Sequence, residues 1–346
     1  MTGQAPSHVV LVRSHHFRPN PQTAADNTFQ HALDAPAEQS ARRAAAEVDG
    51  LAEVLAAAGV GVTVVDDEGI ATPDSVFPNN WLSTHADGTL ALYHMYAPNR
   101  RAERRDDVIE RLRERFVVRR VADFSGEERR GRFLEGTGAM VLDHVMGVAY
   151  ACRSRRLDPG LFERVCAELG YVPVLFEASD ADGVPVYHTN VLMSVGTEIA
   201  LVGSGMIRDA QQRARVLGSL RASGRDVVEL SETQVHGFLG NCLELLGTER
   251  LLVMSAQAAA HLSPVQRCRI ERSCRILAAP VPTIEAAGGS VRCMLAGIHL
   301  PQQQAEARAG VATVAAPRSA GYGRLSCDTS DDEVDRERRM ACRPAP

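Results

Sequence analysis

What most limits the fold open to this chain is a repeated beat of two short strands, a helix and a third strand. It is legible at residues 90–95, 101–116 and 117–121, then at 140–150, 158–169 and 171–176, and again at 190–202, 208–223 and 227–230. Two adjacent strands can be joined by a tight hairpin, but a parallel return needs a long crossover, which a helix supplies. The period is irregular, so the repeat is one of architecture rather than of sequence. Further elements fit the same grammar. Residues 37–58 are rich in Ala and Glu, with Leu51 and Leu55 one turn apart, Pro36 at the start and Gly59 at the end, which predicts a helix. The β-branched run at 60–65 predicts a strand. Asp158-Pro159 predicts a capped helix start with Gly170 as its stop, and Ser263-Pro264 opens a helix predicted to run to about Leu277. Short strands alternating with about five helices, without a long linker, point to one α/β domain over residues 1–312. Residues 313–346 are charged and poor in large apolar side chains, and read as a disordered tail.

Composition removes several classes of function. With 45% hydrophobic and 23% charged residues among 346, the chain can bury a substantial core. A net charge of −5 leaves no basic field for nucleic acid or anionic lipid. No apolar run approaches the roughly 20 residues a membrane span needs. Residues 1–20 do not read as a signal peptide, so a cytoplasmic setting is expected. The eight cysteines (152, 166, 242, 268, 274, 293, 327 and 342) form no CxxC pair and are expected to be reduced thiols. His236 and His261 lack partners at ligand spacing, so no metal site is expected.

Chemistry concentrates in four polar clusters at strand-to-loop junctions: Phe77-Pro-Asn-Asn-Trp81, Leu134-Glu-Gly-Thr-Gly138, Tyr187-His-Thr-Asn190 and Gly289-Ser-Val-Arg-Cys293. Cys293 follows the pair Gly288-Gly289, which can bring the chain close to a ligand, and it is expected at the end of a short extended segment beginning at Val291. A thiol becomes a nucleophile when a cation or base assists it, and a histidine needs an acceptor on its second nitrogen. Cys293, His188 and Glu135 can fill these roles. Each also has a plainer reading: a core cysteine, a hydrogen-bonded structural histidine, a turn carboxylate. Asn79-Asn80 is a natural turn. Glu-Gly-Thr-Gly is no phosphate loop, because no Lys-Ser or Lys-Thr follows.

Taken together, and in this order, the four motifs resemble the guanidino-group-modifying (pentein) superfamily of arginine deiminases, dimethylarginine hydrolases, agmatine deiminases and amidinotransferases. Within it, the chain is most similar to the bacterial citrulline-utilisation hydrolase branch, over about residues 8–300. The resemblance implies a five-bladed α/β propeller around a central site. It also implies a cofactor-free reaction in which Cys293 attacks a guanidinium or ureido carbon, His188 serves as general acid and then base, and Glu135 binds substrate nitrogens and supports the histidine. Asn80, Asn79, Asn190 and Asn241 are the substrate-binding residues it points to, and Cys242 is expected in the core.

Three departures bear on substrate. Asn80 stands where arginine-using members have Asp, Asn190 where His-x-Asp is common, and Ala139 where Asp often follows the glycines. A guanidinium only donates, whereas an amide can both donate and accept, which suits a neutral ureido group. Each charged hydrogen bond lost would cost a guanidine about 1.5–3 kcal/mol. Citrulline, giving ornithine, is therefore the expected substrate. The alternatives are deimination or amidino transfer from arginine, and a non-catalytic propeller that only binds. Arg13, Arg208 and Arg292 are open candidates for the substrate carboxylate. The expected partner is a small ureido or guanidino amino acid; oligomeric state is left open.

Overall fold

The computed structural model describes residues 3–303, and in them the beat occurs five times. The strand β1 (His8–Ser14), helix α1 (Ala37–Ala57) and strand β2 (Gly61–Asp67) come first, with β2 parallel to β1. β3 (Leu82–Thr84) pairs antiparallel with β4 (Thr89–Leu92), α2 (Asp106–Arg115) crosses over, and β5 (Arg120–Asp123) returns parallel. The next sheet holds β6 (Met140–Asp143), β7 (Val148–Cys152) and β8 (Val172–Phe176). It is preceded by the one-turn α3 (Gly136–Ala139) and crossed by α4 (Pro159–Leu169). The one-turn α5 (Thr189–Leu192) leads into β9 (Met193–Val195) and β10 (Ile199–Val202), and α6 (Ala210–Ala222) into β11 (Asp226–Glu229). After α7 (Glu232–His236) come β12 (Leu243–Leu246) and β13 (Arg250–Ser255). The helices α8 (Ala256–Ala260) and α9 (Pro264–Glu271) then bridge to β14 (Arg275–Ala279). Finally α10 (Pro282–Glu285) and α11 (Val291–Met294) precede β15 (Ala296–Gly297), which pairs antiparallel with β1. The last described strand thus completes the sheet that the first begins.

The elements form where local chemistry favours them. Asp158 caps α4 by accepting from the Leu161 N–H, Pro159 needs no donor there, and Gly170 ends the helix in the left-handed region at φ 78°. The buried stripe Ala41, Ala44, Val48, Leu51 and Leu55 of α1 recurs every three or four residues and packs on β1, whose Val9, Val10 and Leu11 are fully buried. Each such side chain removed from water contributes about 1.5–3 kcal/mol. Between neighbouring sheets, Arg225 just ahead of β11 grips Asp143 of β6 with two hydrogen bonds, at 2.6 and 2.9 Å, and both side chains are almost wholly buried.

Several local expectations are corrected. The helix predicted over 263–277 ends at Glu271, and Arg275–Ala279 is a strand parallel to β13. Its short Ile-Leu-Ala-Ala run lacks alternation, so periodicity could not separate it from helix. The strand expected from residue 190 begins only at Met193, after a helical turn, and Cys293 likewise sits in a helical turn rather than at a strand end. Cys152, Cys166, Cys242, Cys274 and Cys293 are free thiols. Residues 304–312 of the expected domain and the expected tail at 313–346 lie outside the described residues.

Candidate active site

The five inner strands β3, β6, β9, β12 and β15 each follow a short turn, and those turns carry the polar motifs. Asn80 lies two residues before β3, Gly138 two before β6, Asn190 three before β9, Asn241 two before β12 and Cys293 three before β15. Residues far apart in sequence therefore converge because they occupy matching positions in successive sheets.

Cys293 is 3% exposed, on α11. Its sulfur accepts N–H bonds from Asn190 Nδ2 at 3.3 Å and Asn241 Nδ2 at 3.2 Å. Asn241 cannot be turned over, because its Oδ1 takes the Cys293 backbone N–H at 3.4 Å and its Nδ2 also donates to the Asn190 carbonyl. Two amides thus hold the sulfur as a hydrogen-bond acceptor. The preceding glycines are there for space. Gly288 has φ 83° and a Cβ there would lie 2.3 Å from Asn27 Nδ2, while one at Gly289 would lie 2.7 Å from the Phe77 ring.

Across the cavity, His188 Nε2 meets Glu135 Oε2 at 2.8 Å, and Glu135 Oε1 accepts the Tyr96 N–H at 2.8 Å. Burial pushes the His188 imidazole down to about 4, against the pull of Glu135, so it rests neutral at neutral pH. Burial pushes Glu135 up, but Arg156, the His188 hydrogen bond and Arg100 outweigh it and hold the carboxyl well below the usual range. Arg156 lies 3.6 Å from Glu135, ion-pairs with Asp26 at 2.7 Å and stacks over the Tyr187 ring.

Arg100 is almost wholly buried and forms a bidentate pair with Glu103, at 2.9 and 2.8 Å. Its Nη1 donates to Asn80 Oδ1 at 2.9 Å. A guanidinium only donates, so it fixes the Asn80 amide with oxygen toward Arg100 and nitrogen away from it. Asn80 Nδ2, Asn190 Oδ1 and Asp74 Oδ1 are all buried without hydrogen-bond partners. Asp74 is anchored by Asn20, which donates to its other oxygen at 2.9 Å. A buried polar atom without a partner costs free energy, and the two that line the cavity, Asn80 Nδ2 and Asp74 Oδ1, mark where ligand atoms would fit.

Asn80, Asp74, Phe77, Arg100, Arg156, Tyr187, His188 and Cys293 line this cavity. Glu135, Asn190 and Asn241 act on His188 and Cys293 from behind it. Asn79 is not part of the lining: it is buried beside the site with both amide atoms unpartnered. Cys242 is fully buried, as expected, with its thiol 3.0 Å from Ser194 Oγ. The three arginines singled out from sequence all lie elsewhere. Arg13 pairs with Asp49 and Asp66, Arg208 is an exposed partner of Glu232, and Arg292 faces a different cavity. The cavity's own cations are Arg100 and Arg156, and Asp74 adds a carboxylate. All three were missed because they flank the motifs instead of sitting in them, and Asn99-Arg100-Arg101 reads in sequence as surface charge. Among the described residues, no group of three or more His, Cys, Asp or Glu is placed to hold a metal ion, and no helix is long and apolar enough to cross a membrane.

A propeller of five three-stranded sheets, with a buried thiol facing a histidine–carboxylate pair at its centre, defines the guanidino-modifying class of hydrolases. Within that class, a family model for eukaryotic N,N-dimethylarginine dimethylhydrolase matches residues 13–300. The chain belongs to that family, whose members are hydrolases acting on C–N bonds. Solved structures agree on the fold. The substrate-bound N-terminal domain of a mutant ArgZ, an arginine dihydrolase from the ornithine–ammonia cycle in cyanobacteria, superposes with a TM-score of 0.65 at 16% identity, over 85% of this chain and 99% of that one. Unliganded AgrE gives 0.66 at 16% identity, over 86% of this chain and 40% of that one. A mutant dimethylarginine hydrolase from Pseudomonas aeruginosa, complexed with citrulline, gives 0.57 at 14% identity, over 84% and 99%. At such identities the likeness speaks to the fold alone. No curated protein matches the chain. Membership of an enzyme family replaces the non-catalytic reading of the propeller.

Proposed function

We propose that this hydrolase cleaves the ureido group of citrulline, giving ornithine, carbon dioxide and ammonia with the uptake of one water. The observation that carries the substrate is the orientation of Asn80. With its oxygen held by Arg100, it has only N–H to offer a ligand. A ureido oxygen can accept that N–H, and a ureido nitrogen can donate to Asp74 Oδ1. A guanidinium has no acceptor for Asn80. In the proposed reaction, the Cys293 thiol proton passes to His188 and the sulfur attacks the ureido carbon. The imidazolium returns the proton to ammonia as the C–N bond breaks, leaving a thiocarbamate on Cys293. His188, neutral again, takes a proton from water, which displaces the sulfur. The carbamate released loses carbon dioxide to give ornithine. Glu135 stabilises the transient imidazolium.

A second reading has its own support. Asp74 Oδ1 and Glu135 supply negative charge that a guanidinium would meet well, and the family's name points to N,N-dimethylarginine. The test is mass spectrometry of products from citrulline, arginine and N,N-dimethylarginine in parallel. Ornithine from citrulline, lost in Cys293→Ser, is the expected result. Citrulline formed from dimethylarginine, with citrulline itself inert, would replace the first reading by the second.

A further inference from the structure

The turn that carries Cys293 presents its neighbour, Arg292, to a second cavity that shares no lining residue with the first. It is walled by residues of all five inner strands, among them Thr84, Leu142, Ser194, Leu243 and Gly297, so it occupies the propeller axis beyond the turn. Arg292 is the single formal charge among its lining residues, and none of them is Asp or Glu. Its Nη1 donates to the Leu295 carbonyl at 3.1 Å, and among the described residues it has no ion pair. The buried arginines Arg100, Arg156 and Arg225 behave differently: each holds a carboxylate. Beside Arg292 in the lining, His144 and His299 stack with ring centroids 3.8 Å apart. Tyr171 Oη meets His144 Nδ1 at 2.8 Å, and His144 Nε2 has no hydrogen-bond partner among the described residues.

We propose that this axial cavity binds a small oxyanion, with Arg292 as its principal ligand and His144 as a second donor. The uncompensated guanidinium is the reason. A desolvated cation facing a polar cavity without a carboxylate gains most from an anion brought in from solution. Burial already pulls Arg292 down to about 10, a cost that a bound anion would offset. The imidazole pair, neutral when the cavity holds no anion, can donate N–H to one without adding a competing charge.

The experiment is calorimetric titration of the full chain with inorganic phosphate and, separately, bicarbonate, at ionic strength held constant with chloride. Wild type should show saturable binding of one oxyanion per chain. Arg292→Gln, which keeps a donor toward Leu295, should weaken it roughly tenfold or more, as expected for loss of a charged hydrogen bond. Leu243→Glu, which places a carboxylate in the same cavity from a half-buried position, should weaken it similarly while Arg292 stays in place. Arg250→Gln, at an exposed pair with Glu198, should leave it unchanged. Unaltered binding in both Arg292→Gln and Leu243→Glu, or no saturable binding in wild type, overturns the proposal. Should Arg292→Gln fail to fold, Leu243→Glu decides alone.

Discussion

At the scale of single residues, the site is governed by which way three amides are turned, and each is turned by a neighbouring protein group. Arg100 sets Asn80, the backbone at Cys293 sets Asn241, and the sulfur takes the Asn190 N–H. Asn80→Asp is the sharpest probe. An aspartate there would still satisfy Arg100 but would present an oxygen where Asn80 presents N–H. The proposed chemistry then expects kcat/KM for citrulline to fall by roughly 10²–10³-fold, the usual penalty for losing an oxyanion donor, and that for guanidines to rise. Unchanged selectivity would separate substrate choice from Asn80. His188→Ala should abolish turnover with citrulline while near-native circular dichroism is retained, because the ring lies in the cavity wall. Wild-type rates in that variant would remove His188 from the mechanism.

At the scale of elements, the one-turn segments matter more than the long helices, and close packing makes their glycines irreplaceable. A Cβ at Gly138 would lie 2.1 Å from Asn80 Nδ2 and 2.9 Å from His188 Nδ1. Gly138→Ala should therefore displace two side chains that line the cavity, lowering kcat by an order of magnitude or more with little loss of thermal stability. A Cβ at Gly240 would meet the backbone, 2.3 Å from the Val191 carbonyl oxygen. Gly240→Ala should cost about 1–3 kcal/mol in urea unfolding, the usual range for overpacking. The same segments explain what could be read from sequence. The α1 stripe, the Asp158-Pro159 cap and the order of the four motifs were legible because each is written in consecutive residues. One-turn helices are too short for any periodicity, so the turns bearing His188 and Cys293 looked extended. Arg156, Arg100 and Asp74 belong to the site only through contacts spanning up to 130 positions, as in the Arg156–Asp26 pair, and no local pattern announces such a contact.

At the scale of the whole molecule, stability rests on buried ionisable groups that acid will disturb. Burial pushes His8, His85, His94 and His188 down to about 4, His299 to about 3 and His144 well below its ordinary value. All are neutral in the folded chain near pH 6, whereas the unfolded chain takes up protons below about pH 6.5. Stability should therefore be intact above about pH 6.5 and be lost as the pH falls from there toward 4, by about 3 kcal/mol for each of His85 and His188 at full titration. Thermal melts between pH 7.5 and 4.5 would check this; a flat melting temperature across that range contradicts it. The Asp143–Arg225 clasp between neighbouring sheets should behave as an uncompensated buried charge when broken. Asp143→Ala is expected to destabilise by about 3–5 kcal/mol, measurable by denaturant titration.

The closure of the ring carries a consequence for the order of synthesis. A ribosome that has delivered residues up to Glu285 has already made four complete sheets, the histidine, its carboxylate and every amide of the site, but no thiol. Cys293 arrives three residues ahead of the strand that locks onto β1, so the proposed nucleophile and the seal emerge together. On the proposed chemistry, a chain that stops short of Cys293 lacks both the seal and the means to cleave its substrate.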